Sequence, residues 1–245
     1  MSGVIDPGAV LSRVFNVYRE QFSTLIQVSV LVYGVTGILN VVLVAASSTL
    51  SPLSTVINLV GTFIFTGAIV ELVADIQDSR RDASIGELFS PVFPVLGQLL
   101  LVGIVAGVCT GIGFVLLIIP GLILLTIWAV AAPVVVLERP GGLRALGRSR
   151  ELVRGNGWRV FAVIFVLFLI VAIVSFLVAL PFAFTGILFV VVSAVVTIFT
   201  APIQALGAAI LFFELRGVQP AAEQVPPSDL GSGGPMAGAG MPPPA

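Results

Sequence analysis

Hydrophobic residues fall along this chain in six long, nearly unbroken runs, at 24–46, 55–77, 96–115, 119–137, 160–180 and 186–213, joined by connections that alternate between uncharged and charged. An α-helix needs about 20 apolar residues to cross a hydrocarbon core of about 30 Å, and every run approaches that length. None shows the residue-by-residue alternation that a strand of a membrane β-barrel requires, with one face to lipid and the other to the lumen. The pattern predicts an all-α polytopic membrane protein with six transmembrane helices. The first run is longer than the apolar stretch of a secretory leader, so it reads as a retained span.

Shorter segments follow a helical period of their own. In 10–22, Val10, Val14, Phe15, Tyr18 and Phe22 share one face, while Arg13, Asn16, Arg19 and Glu20 share the other. In 143–154, a turn of about 100° per residue gathers Arg144, Arg148, Arg150, Arg154 and Glu151 into an arc of about 160°, opposite Ala145, Leu146, Leu152 and Val153. Both read as amphipathic helices in the interface plane, with the apolar side toward acyl chains and the arginines near lipid phosphates. A third segment, "SIGELFSPVFPVLG", opens with Ser84 and Glu87 at capping-box spacing, but Pro91 and Pro94 limit it to a short helix. Each segment precedes two spans, so the chain reads as three repeats of an amphipathic helix and a span pair. "IIPG", at 118–121, supplies a tight reversal between the third and fourth spans, with Pro120 near a helix start. Residues 1–216 then form one six-helix membrane domain, and the Pro-, Gly- and Ala-rich 217–245 reads as a disordered tail.

Charge adds an orientation. The connections at 47–54, 116–118 and 181–185 carry none, whereas 78–95, 138–159 and the two ends hold all eleven arginines of a chain without lysine. Six of those arginines lie between 139 and 159. Arginine at a helix centre costs about 2.5–3.5 kcal/mol on insertion scales, and basic residues in short loops collect on the cytoplasmic side. The reading is therefore six spans with both termini cytoplasmic, and Trp158 as an interfacial anchor before the fifth span. With 58% hydrophobic and 9% charged residues and a mean hydropathy of +1.18, composition agrees, and a net charge of −1 offers nothing to nucleic acid.

Candidate chemistry is sparse. Without histidine, imidazole bases, His-zinc sites and His-ligated haem are absent, and the single Cys109 rules out an intrachain disulfide. No cofactor or metal is expected. Glu71, Asp75 and Asp78 share a face at the end of the second span; Glu71, the deepest acid, reads as the partner of Arg148 or Arg154, with a proton or cation site as the alternative. Gly103, Gly107 and Gly111 on the third span, and Ala201, Ala205 and Ala209 on the sixth, form small-residue stripes that permit close helix contact, within the bundle or between subunits. Pro133 and Pro202 should kink or locally unwind their helices. Asn40, Gln98 and Gln204 are the main remaining intramembrane polar groups, suited to interhelical hydrogen bonds.

With these parts placed, "NVYREQFSTL", "IIPGLILL", "APVVVLERPGGLRALGRSRELVRGNGWRV" and the closing "FFELR" resemble the six-span bacterial family known from the membrane domain of some glycerophosphoryl diester phosphodiesterases and its stand-alone relatives. The resemblance covers about residues 8–216, and departs at Arg150, where that family would carry an aromatic residue. It implies a bacterial plasma-membrane protein that lacks the soluble catalytic barrel of the fused members.

The leading expectation is a protein without enzymatic activity of its own, a lipid-interacting or scaffold module working with membrane lipids and with protein partners in trans or further copies of itself. Arg13, Arg19, Arg144, Arg148, Arg150, Arg154 and Trp158 would meet lipid headgroups, although arginine-bearing linkers also serve simply to fix topology. The alternative is a transporter or exporter of a small or lipidic substrate, with Pro133 and Pro202 as gating breaks. A solvent-reachable polar cavity joining Asn40, Gln98 and Gln204 would favour transport; a sealed apolar bundle would favour the scaffold. An enzyme would need Glu71, Asp75 and arginine to converge around a metal.

Overall fold

The computed structural model describes residues 5–46, 51–78, 85–185 and 187–218; the proposed tail beyond 218 and the Ser84 half of the capping pair lie outside them. Among the described residues there are helices and no strands. The element order repeats three times. A first unit runs through α1 (Pro7–Glu20), α2 (Phe22–Ala46) and α3 (Ser51–Gln77). The second begins with α4 (Ile85–Phe89) and a 3-10 turn at Phe93–Val95, followed by α5 (Leu96–Leu116), α6 (Ile118–Ile127) and α7 (Ala131–Pro133), which passes into a π-helical turn at Val134–Glu138. The third comprises α8 (Arg144–Val153), α9 (Gly157–Ala179), a 3-10 turn at Leu180–Phe182 and α10 (Ile187–Val218). Six helical stretches are long and apolar enough to cross a membrane, and the chain is a multi-pass membrane protein.

Local chemistry explains the boundaries. Asp6 caps α1 by accepting the Gly8 N–H at 2.9 Å, with Pro7 at the first helical position, where its missing N–H costs nothing. The reversal between α5 and α6 is made by Leu117 alone, extended at φ −160° and ψ 140°. It works because Gly113 and Gly121 meet backbone to backbone, a Cβ on Gly113 lying only 3.0 Å from the Gly121 Cα. After the fourth span, Arg139, Gly141 and Gly142 all adopt positive φ, at 49°, 88° and 43°. Gly155, at φ 87°, ends α8 and lets the chain turn into α9.

The three span pairs pack as hairpins: α2 on α3, α5 on α6 and α9 on α10. Most of their buried core lies in the half nearest α1, α4 and α8. Leu25 to Val32, Phe65 to Val73, Leu99, Val130 to Val136, Val160 to Leu167 and Ala205 to Leu215 supply it. In the other half, Ile38, Val41, Val56, Val115, Phe176 and Val191 are exposed to the surroundings. Apolar helix surfaces gain little by meeting each other in lipid, so this half has no drive to close.

One expectation needs correction. The apolar faces of the short helices do not point at acyl chains. Val10 and Val14 of α1 pack into the core beside α9 and α10, and Ala145, Leu146, Leu152 and Val153 of α8 pack there beside the fourth span and α10. Protein, in place of lipid, removes that surface from water, which a single-helix projection cannot reveal. Of the two outcomes open for Pro202, a kink or local unwinding, the second does not occur, since α10 is helical throughout Ile187–Val218. Pro133 does interrupt its span, and the break begins upstream at Trp128 to Val130.

Candidate functional site at the arginine-rich end

The break in the fourth span accounts for the placement of α8. At that break the Ala131 N–H bonds the Trp128 carbonyl at 3.0 Å, which frees the carbonyl of Ile127 from its usual helical donor. Ser149 of α8, fully buried, donates its hydroxyl to that Ile127 carbonyl at 2.8 Å. A backbone group released inside a membrane protein must find such a partner, so the break and α8 hold one another.

Once α8 is seated, its arginines divide. Arg148 donates Nε to Glu138 at 3.0 Å and Nη1 to Glu151 at 3.5 Å, and the Arg148 and Glu138 side chains are only 18% and 17% exposed. Arg13 of α1 donates to Glu214 of α10 at 2.7 Å. Arg139 donates to the carbonyls of Val136 and Pro91, tying the π-helical turn to the segment after α4. Arg159 is held by the Asn156 side chain. By contrast, Arg19, Arg144, Arg150 and Arg154 are exposed and make no ion pair or side-chain hydrogen bond among the described residues. Trp158 is 81% exposed and stacks on Phe161, which stacks in turn on Phe165. Indole and phenyl rings so arranged at a helix start belong at the headgroup level of a bilayer. The arrangement thus offers unneutralised guanidinium groups beside an aromatic anchor, a surface that can bind phosphate oxygens.

The acids follow a different arrangement from the expected one. Glu71 does not pair with Arg148 or Arg154; the charges close enough to act on it are Asp75 and Arg139. Asp78 is exposed at the end of α3. Among the described residues, no three His, Cys, Asp or Glu side chains converge in a way that could hold a metal.

The small-residue stripes separate too. Gly103 lies directly against the Phe63 ring of α3, whereas Gly107 and Gly111 have open space where a side chain would be. Ala205 and Ala209 are buried within the bundle, and Ala201 packs partly against it. Tyr18 of α1 donates to the Phe199 carbonyl of α10 at 2.9 Å. Asn40 donates to Asn58 at 3.1 Å across α2 and α3, the interhelical bond expected of it. Asn40, Gln98 and Gln204 do not converge. Asn40 faces α3, the Gln98 carbonyl oxygen is buried without a partner, and Gln204 lines a cavity with α5 and α9.

Several of these residues were not legible beforehand, among them Ser149, Glu138, Asn58 and the Gly113–Gly121 contact. Ser149 could have been found from its place on the apolar face of an otherwise charged helix.

Neither a curated protein nor a solved structure matches the chain. A family described as a domain of unknown function, DUF8558, matches residues 88–215, the second and third units of the repeat. That match takes in more than half of the sequence, and the chain belongs to the DUF8558 family.

Proposed function

We propose that this protein is a lipid-interacting module of a bacterial plasma membrane, with both termini cytoplasmic and no catalytic activity of its own, which holds anionic lipid at its arginine-rich end. The observation that carries the reading is the division of the arginines. Arg13, Arg139 and Arg148 are committed to protein partners, while Arg144, Arg150 and Arg154 are exposed and make no ion pair among the described residues, Arg154 lying four positions before the exposed Trp158. Each such arginine near an anionic surface contributes about 1 kcal/mol at low salt. Scaffolding of a partner enzyme in trans, as the resemblance to phosphodiesterase membrane domains implies, fits the same face. The transport alternative would have to use a path other than one joining Asn40, Gln98 and Gln204, which do not line one cavity among the described residues.

The test uses Trp158 as reporter in a Trp128→Phe background, reconstituted in vesicles that mix zwitterionic lipid with brominated anionic lipid. Quenching should exceed that expected from the bulk anionic fraction, and should fall to it on replacing Arg144, Arg150 and Arg154 together by Gln, or at high salt. Quenching that follows the bulk fraction in the parent protein would remove the proposal.

A further inference from the structure

Two laterally open cavities of nearly equal size lie among the helices, and their linings differ in one respect. The first, about 580 Å³, lies between α2, α3 and α4. Its one hydroxyl, on Thr36, is bonded to the carbonyl of Val32 at 3.0 Å. Nothing there asks for more than hydrocarbon. The second, about 600 Å³, lies between the α5–α6 and α9–α10 hairpins, where Gly107 and Gly111 leave room along α5. Thr110, Trp128 and Gln204 line it, and none of the three makes a side-chain hydrogen bond among the described residues. Its volume lies within the range of about 300–1,000 Å³ typical of small-ligand pockets.

Depth gives this difference its meaning. Gly207, one turn along α10 from Gln204, abuts the side chain of Leu167 on α9. Leu167 stands nine residues beyond Trp158, about 14 Å along the helix, close to the middle of a hydrocarbon core about 30 Å thick. Gln204 is exposed toward this space, and its carboxamide makes no side-chain hydrogen bond among the described residues, so at that depth a partner has to come from whatever occupies the cavity. A carboxamide, a hydroxyl and an indole N–H supply donors to one space. No charged residue lines it, so a charged headgroup would find no counter-ion there.

We infer that this cavity binds one uncharged lipid, whose hydroxyl or carbonyl group hydrogen-bonds Gln204 and Thr110 while its chain lies along the Gly107–Gly111 face of α5. The site is separate from the arginine-rich end, and each reading stands without the other. The ligand class is a neutral lipid whose polar group can reside within the hydrocarbon core, such as an acylglycerol or an isoprenoid carbonyl compound.

Trp128 reports on the cavity directly in a Trp158→Phe background. The full-length protein in detergent is titrated with a monoacylglycerol bearing a dibrominated chain, and with an anionic phospholipid bearing the same chain. Saturable quenching by the monoacylglycerol alone is expected. Gln204→Leu should weaken it about tenfold. Gly107→Leu, whose Cβ would enter open space, should abolish it by filling the cavity, with an unchanged melting temperature checking that the fold is kept. Quenching that never saturates, that is equal for the anionic lipid, or that is unchanged in both variants would overturn the inference.

Discussion

Arg148 and Arg150 stand two positions apart on α8, yet one is enclosed by carboxylates and the other has no partner among the described residues. The difference lies in their neighbours, since Glu138 reaches Arg148 from the preceding π-helical turn. Replacing Arg148 by Gln strands the largely buried Glu138 carboxylate. It should destabilise the protein by about 1–3 kcal/mol, read as a lower melting temperature in detergent. Arg150→Gln should stay within about 0.5 kcal/mol of the parent. A helical projection places both residues on the same charged arc, so their separate roles were illegible until Glu138 was located. Ser149, between them, is a sharper case. Ser149→Ala leaves the Ile127 carbonyl without its donor and should cost about 1–3 kcal/mol by the same measurement.

Gly103 and Gly107 make the comparable contrast on an element. They share one stripe of α5, but the first lies against the Phe63 ring and the second against empty space. Gly103→Val should therefore force α3 and α5 apart, at about 1–3 kcal/mol. Gly107→Val should be neutral or slightly stabilising, because glycine is a poor helix former. Stability in detergent, measured side by side, distinguishes the two. The elements themselves were readable in advance: predicted spans at 24–46 and 96–115 correspond to Phe22–Ala46 and Leu96–Leu116, because long apolar runs and Gly-Pro punctuation act locally. What lies opposite each face was not readable. The apolar sides of α1 and α8 meet protein, and the choice between protein and lipid depends on contacts made far along the chain.

On the scale of the whole molecule, orientation can be tested at two exposed positions. With Cys109 replaced by Ser, a cysteine at Phe184, 99% exposed at the end opposite α8, should react with an impermeant thiol reagent added to intact cells. A cysteine at Gly147, exposed on α8, should react only after permeabilisation, and the reverse pattern would invert the proposed topology. Most of the core described above occupies one half of the bundle, so that half is the one chiefly braced by the protein's own side chains. The other half must take its neighbours from the surrounding leaflet, and acyl-chain length and saturation there become structural variables of the protein. Backbone amides along 38–43 and 168–178 should accordingly exchange with deuterium faster in short-chain detergent than in a bilayer, while those along 205–215 keep the same rate in both.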